Sequence, residues 1–254
     1  MALAVLTVLV GVLAVVNQSP VSTPPLQAPT VTVATPAVTV VKLETPSAPQ
    51  TPKAAPVVAP IQNCTPPAFG ALSKINLTNT GGGYTELIDS PAYYRVYGDT
   101  AAQIKAQLRQ CPAVPAVGGG DSFAAVTSGE ITWQYTSNAG SNGLCTMNSV
   151  KVGLHTRMIL PEWHATGAAA SGLAAQWQRV VDGTTVHETE HVHMYQQYAK
   201  QLLSELVSMP ATDCASVEAS VKNKTAAVIA ALDAAQAGVD HRTGHGVTQG
   251  AVLR

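Results

Sequence analysis

Hydrophobic and polar positions change their period several times along this chain, and each change predicts an element. Tyr93-Tyr94-Arg95-Val96-Tyr97 is aromatic and β-branched and predicts a strand, because such residues suit a pleated, half-buried surface. Gly98-Asp99-Thr100 turns the chain, and Asp99 or Thr100 can cap a helix over Ala101 to Gln110, with Ile104 and Leu108 on one face. Glu130 to Tyr135 alternates cleanly, as does Ser149 to Ile159 through Val150, Val152 and Leu154. The Gly- and Asn-rich stretch Ser137 to Gly143 between them predicts a hairpin.

From Gly172 the period becomes helical. Leu173, Trp177 and Val180 recur at that spacing, and Asp182-Gly183-Thr184 is expected to break or kink the helix, since Gly disfavours helix interiors. A second helical run is expected from Thr185 to about Ser208, before Pro210. A last helix follows from about Thr212 to Gln236, with Val217, Val221, Val228 and Leu232 on one side. Strands first and helices after predict an α+β fold, a small antiparallel sheet packed against helices.

The N-terminal part follows another pattern. Ala2 to Val16 is apolar throughout, yet as a helix it would span only about 22 Å, short of the roughly 30 Å hydrocarbon core. That length suits a signal-peptide core or an uncleaved anchor, so residues 1–16 are expected to export the chain or tether it to a membrane. Residues 17–62 are rich in Pro, Thr, Val and Ala and lack aromatic side chains. So many missing N–H donors cannot close a core, and a disordered, semi-rigid linker is expected. All seven Tyr and all three Trp lie from Tyr84 onward, so residues 63–254 form the expected folded domain.

Composition narrows the function. The formal net charge is −1 and charged residues make up 11% of the 254, with neither a basic stripe nor an acidic run, which argues against a nucleic-acid partner. The four cysteines, Cys64, Cys111, Cys145 and Cys214, are widely spaced and include no C-x-x-C pair. In an exported chain they predict two disulfides, and of the three possible pairings Cys64–Cys111 with Cys145–Cys214 is favoured. The first would fasten the linker to the body, the second the central strands to the helices.

The chemistry centres on His187-Glu188-Thr189-Glu190-His191. Histidines four apart on a helix point the same way, with Cβ atoms about 5–6 Å apart, and can occupy adjacent vertices of a zinc tetrahedron. Glu188 lies about 100° round the helix, where it can reach a metal-bound water as general base. Met194/Tyr195, Tyr198 and Leu202 continue the histidine stripe into an apolar face, so the histidines should face the body. His193 falls on another face, and Glu190 lies off the metal face, where it could orient a neighbour. A third ligand is required. Glu205, fourteen residues beyond His191 on the same helix, stands about 21 Å away and is rejected. Glu218 on the next helix, and Asp240, His241 and His245 in the tail, stay open. The metzincin extension is absent, with Met194 and Gln197 where its Gly and third His would stand.

Beyond these residues, a set of motifs runs in order from Ala92 to Ala251: Tyr94-Arg95-Val96-Tyr97-Gly98-Asp99-Thr100, Thr132-Trp133, Cys145, Leu160-Pro161-Glu162-Trp163, Trp177, His187 to His191, Cys214, and Asp240, Thr243 and His245-Gly246. In these the body resembles the bacterial family known as domain of unknown function 922, described as predicted secreted zinc-dependent proteases. The resemblance implies a zincin-like fold around the H-E-x-x-H helix and favours His245 as third zinc ligand, with Glu218 or Asp240 behind it. The expected function is that of a secreted or surface-tethered zinc peptidase acting on a peptide or protein substrate. The alternative is a catalytically silent zincin-like module that binds a cell-envelope component.

Overall fold

The computed structural model describes residues 71–78, 80, 83–113 and 124–254, and the backbone of Val5–Val8. The chain forms strands β1 (Val5–Val8), β2 (Gly83–Ile88) and β3 (Ala92–Tyr97), helix α1 (Ala101–Gln110), and strands β4 (Val126–Ala139) and β5 (Leu144–His164). Helix α2 (Leu173–Val207), the short β6 (Thr212–Asp213), helix α3 (Val217–Thr243) and a 3-10 turn (Val247–Gln249) complete it. The expected linker, Cys64 and most of the apolar N-terminus lie outside the described residues. Among those described, no helix is long and apolar enough to cross a membrane.

The α+β class stands, but the small antiparallel sheet does not. β4 and β5 form the expected hairpin, antiparallel from Val126↔Ile159 to Ala139↔Cys145. Both β2 and β3, however, join the other edge of β5 in parallel, β2 along Lys151 to Thr156 and β3 along Ile159 to His164. β4, which follows α1, runs opposite to β3, and the hairpin turn reverses the chain once more, so β5 comes back in the direction of β3 and the two pair in parallel. β2 and β3 behave as one strand broken at Asp89 to Pro91, where Pro91 has no N–H to continue the ladder. The zincin-like fold drawn from the resemblance is likewise not what this mixed sheet displays.

Local chemistry accounts for α1. The Thr100 side chain accepts from the Gln103 N–H while the Gln103 side chain accepts from the Thr100 N–H, a reciprocal cap. The expected break at Gly183 does not occur, and α2 runs unbroken for 35 residues. Gly183 serves packing instead. A Cβ there would stand 2.6 Å from the Ala251 nitrogen and 2.6 Å from the Gln249 oxygen, so only Gly lets the C-terminal tail cross the helix. α3 also runs farther than its pattern suggested, to Thr243, which places Asp240 on its last turn.

One apolar cluster lies between the hairpin and the two long helices, where Trp133, Tyr135 and Leu154 meet Tyr195, Leu202 and Leu232. Gly129 sets the depth of this contact, because a Cβ at that point would reach 2.4 Å from the Tyr195 ring. A second cluster joins β3 and α1 to the start of α2 and to Ala251 and Leu253 of the tail. On the opposite sheet face, Lys151 Nζ donates to the carbonyls of Leu77 (3.0 Å) and Thr80 (2.6 Å), strapping down the segment that enters the domain. Beside it the buried His155 meets Asp89 Oδ1 at 3.0 Å. At the far end of the helices Cys145 and Cys214 are joined as expected. Cys111 is disulfide-bonded too, and its expected partner Cys64 lies outside the described residues.

Candidate metal centre

α2 and α3 pack antiparallel, and the site forms where the middle of one passes the last turn of the other. His187 and His191 are fully buried and turn their Nε2 atoms toward each other at 3.4 Å. Asp240 closes the third side, its Oδ1 at 3.3 Å from His187 Nε2 and 3.2 Å from His191 Nε2. The tetrahedral corners round a metal with bonds of about 2.0–2.1 Å stand about 3.3–3.4 Å apart. The three separations match that spacing, so the donors lie where a tetrahedral divalent ion would take them without rearrangement. Among the described residues, His187, His191 and Asp240 are the group of His, Cys, Asp and Glu side chains able to hold a metal ion.

Hydrogen bonds on the far side of each ring settle which nitrogen is free to ligate. His191 Nδ1 contacts Gln236 Oε1, and Gln236 Nε2 is used on the His191 carbonyl at 3.3 Å. His187 Nδ1 contacts Gln249 Oε1 at 3.0 Å and Thr243 Oγ1 at 3.2 Å. An amide oxygen only accepts, so both rings carry their hydrogen on Nδ1 and point an Nε2 lone pair inward, the arrangement a metal-ligating imidazole uses. Three lone pairs converge with no hydrogen among them, and such a cluster is stabilised by a cation.

Glu188 is fully buried beside these donors. Its Oε2 accepts from Thr127 Oγ1 of β4 at 2.8 Å, and its Oε1 makes no hydrogen bond. Burial pushes its carboxyl up to about 8, with the Asp240 charge adding to the rise and the Thr127 hydrogen bond opposing it. Burial also acts on Asp240, but in the metal-free chain a hydrogen held between it and the Nε2 atoms of His187 and His191 takes the place of the cation, and those hydrogen bonds outweigh burial and bring the carboxyl down to about 2. One carboxylate thus retains its proton near neutrality while its neighbour stays ionised.

The other expected site residues are spread more widely. His245 stands just outside the triad, its Nδ1 3.5 Å from Asp240 Oδ1, in a left-handed backbone conformation with φ 56°. His193 and His241 are exposed. Glu218 is exposed in the first turn of α3, 22 residues before Asp240 and so about 33 Å along the axis. Glu205 pairs with Lys224 at 2.8 Å, far from the histidines. Apart from these, Arg242 beside the triad is engaged by Glu190 at 2.6 Å, and Tyr195 of the histidine stripe is buried in the core. Gln236, Gln249 and Thr127 were not anticipated from the sequence. Gln236 lies one turn before Asp240, and that spacing was the available signal.

The fold and site thus describe an α+β protein with a buried two-histidine, one-aspartate cluster between two helices. The chain belongs to the family described as bacterial protein of unknown function (DUF922), whose model matches residues 92–246. That span takes in both helices of the site as far as Gly246. No curated protein and no solved structure matches the chain.

Proposed function

We propose that this protein is a secreted or surface-tethered zinc-dependent peptidase. The observation that carries the reading is the triad: three donor atoms at 3.2–3.4 Å, their lone pairs turned inward, with a protonatable carboxyl packed alongside. His187, His191 and Asp240 are the residues that would hold zinc, with His245 adjacent on the accessible side. Zinc bound there would act as a Lewis acid and bring the pKa of a water toward about 7.

The rest of the chemistry belongs to the chain. Burial keeps the proton on Glu188 in the metal-free chain; a cation held beside it would favour the ionised form, and that carboxylate accepts a proton from the attacking water as oxygen bonds to the peptide carbonyl carbon. It then returns the proton to the leaving nitrogen as the C–N bond breaks. Its raised pKa suits a group that must hold and release a proton near neutral pH. Thr127 orients one carboxylate oxygen and leaves the other free for the reaction. Export is supported by the apolar run Ala2 to Val16 and by the formed Cys145–Cys214 bond, since disulfides persist in oxidising compartments.

A second reading is favoured by the full burial of Glu188, which suits a catalytically silent module that holds zinc and binds a cell-envelope component. One experiment separates the two. Purified protein is loaded with zinc and given a peptide library, alongside Glu188→Gln. Cleavage abolished in the variant while zinc stays bound supports the peptidase. Stoichiometric zinc without cleavage in either protein supports the module, and wild-type protein that binds no zinc ends both readings.

A further inference from the structure

Glu190 follows Glu188 by two residues but faces away from the donors, and its surroundings give it a task. Arg242 Nη2 donates to Glu190 Oε2 at 2.6 Å, and Gln249 Nε2 donates to Glu190 Oε1 at 2.7 Å. Gln249 Oε1 then meets His187 Nδ1 at 3.0 Å. A carboxylate can only accept, so Glu190 draws the amide nitrogen of Gln249 toward itself and turns the amide oxygen to the imidazole. That oxygen also only accepts, so the hydrogen of His187 is placed on Nδ1 and the lone pair on Nε2.

We propose that Glu190, acting through Gln249, is a positioning residue that sets the tautomer and ring orientation of His187, which makes the turn Val247–Gln249 a working part of the metal centre. The inference rests on reading His187 as a ligand. It also accounts for two glycines. Gly183 lets Gln249 and Ala251 lie against α2, and a Cβ on Gly246 would come within 3.3 Å of His187 Cβ. The tail is thus brought to the one place from which Gln249 reaches both Glu190 and His187. Outer partners of ligating histidines are commonly worth 10–100-fold in metal affinity.

The test uses the full chain, with zinc affinity measured by chelator competition and the histidine tautomers read from 15N shifts in metal-free protein. Gln249→Ala should weaken zinc binding about 10–100-fold and move His187 away from the Nδ1–H form. Glu190→Ala should act in the same direction, and the double variant should bind no more weakly than Gln249→Ala alone. Gln249→Glu sets two carboxylates face to face and should also weaken binding. Adding Glu190→Gln to it restores a donor against a carboxylate and an acceptor against His187, and should recover affinity. An unchanged tautomer in Gln249→Ala overturns the proposal, as does an exchanged pair no tighter than Gln249→Glu alone. A wild-type chain that binds no zinc refutes the metal reading, while the tautomer still decides the relay. Should Gln249→Ala fail to fold, the exchanged pair and Glu190→Ala decide it.

Discussion

Replacing Gly183 with Ala sets two physical effects against each other. An Ala in a helix interior is favoured over Gly by about 1 kcal/mol, so propensity alone predicts a more stable protein. The added methyl, however, would sit 2.6 Å from the Ala251 nitrogen, 2.6 Å from the Gln249 oxygen and 2.7 Å from the Gly250 carbonyl carbon. All three are backbone atoms, so no side-chain rotation relieves the overlap and the tail must lift by about 1 Å or detach. Lifting it exposes Leu253, whose burial is worth about 2 kcal/mol, and loosens Ala251, both now almost fully buried. It also breaks the Gln249 bonds to His187 and Glu190, at about 1 kcal/mol each. The losses of about 4 kcal/mol exceed the gain, leaving the variant less stable by about 3 kcal/mol. For a domain of this size that lowers the midpoint of thermal unfolding by about 6–12 °C. Circular dichroism melts of the two proteins, each in excess chelator, measure it. A variant as stable as wild type, or more stable by the 1 kcal/mol that propensity offers, would refute the claim that the tail rests on this glycine.

Two further outcomes follow from the site and its frame. Glu188 has an ordinary carboxyl pKa when unfolded and one near 8 when folded, so the folded chain binds the extra proton and metal-free protein loses stability as pH rises from about 4.5 through 8. The slope is at most about 1.4 kcal/mol per pH unit, and in urea titrations across that window Glu188→Gln should flatten it. The Cys145–Cys214 bond closes a separation of 69 residues, so its removal by paired Ser substitutions should cost about 4 kcal/mol, read from denaturant midpoints.

Much of this molecule was legible before its coordinates. The alternation of Glu130 to Tyr135 and of Val150 to Leu154 marked the hairpin because side chains on a half-buried sheet must alternate. Of the two expected caps, Asp99 and Thr100, it is Thr100 that caps α1, and the helix spans Ala101–Gln110 as expected. What failed to show was direction. Nothing in the pattern of Tyr93 to Tyr97 says whether the strand meets its neighbour parallel or antiparallel, since both present the same faces. Gly183 misled for a related reason: propensity records what a residue costs the helix and is silent on what crosses it. At the site, the H-E-x-x-H spacing marked both histidines and Glu188 because one helix carries them. Asp240, His241 and His245 stayed open together, since a tail read as irregular gives no face. Once α3 is seen to reach Thr243, helical phase brings Asp240 round to the histidines with Gln236 one turn behind it.

Helix α3 is clasped at one end and holds a candidate ligand at the other. From Val217, beside the Cys145–Cys214 bond, α3 extends about 35 Å to Asp240, and over that lever a swing of about 3° moves the aspartate by nearly 2 Å, most of a coordination bond length. The covalent clasp, which ties the segment entering α3 to strand β5, therefore acts as the pivot of that lever. By fixing the angle at the closed end it governs where the aspartate arrives, so reducing the clasp would let the ligands drift out of register.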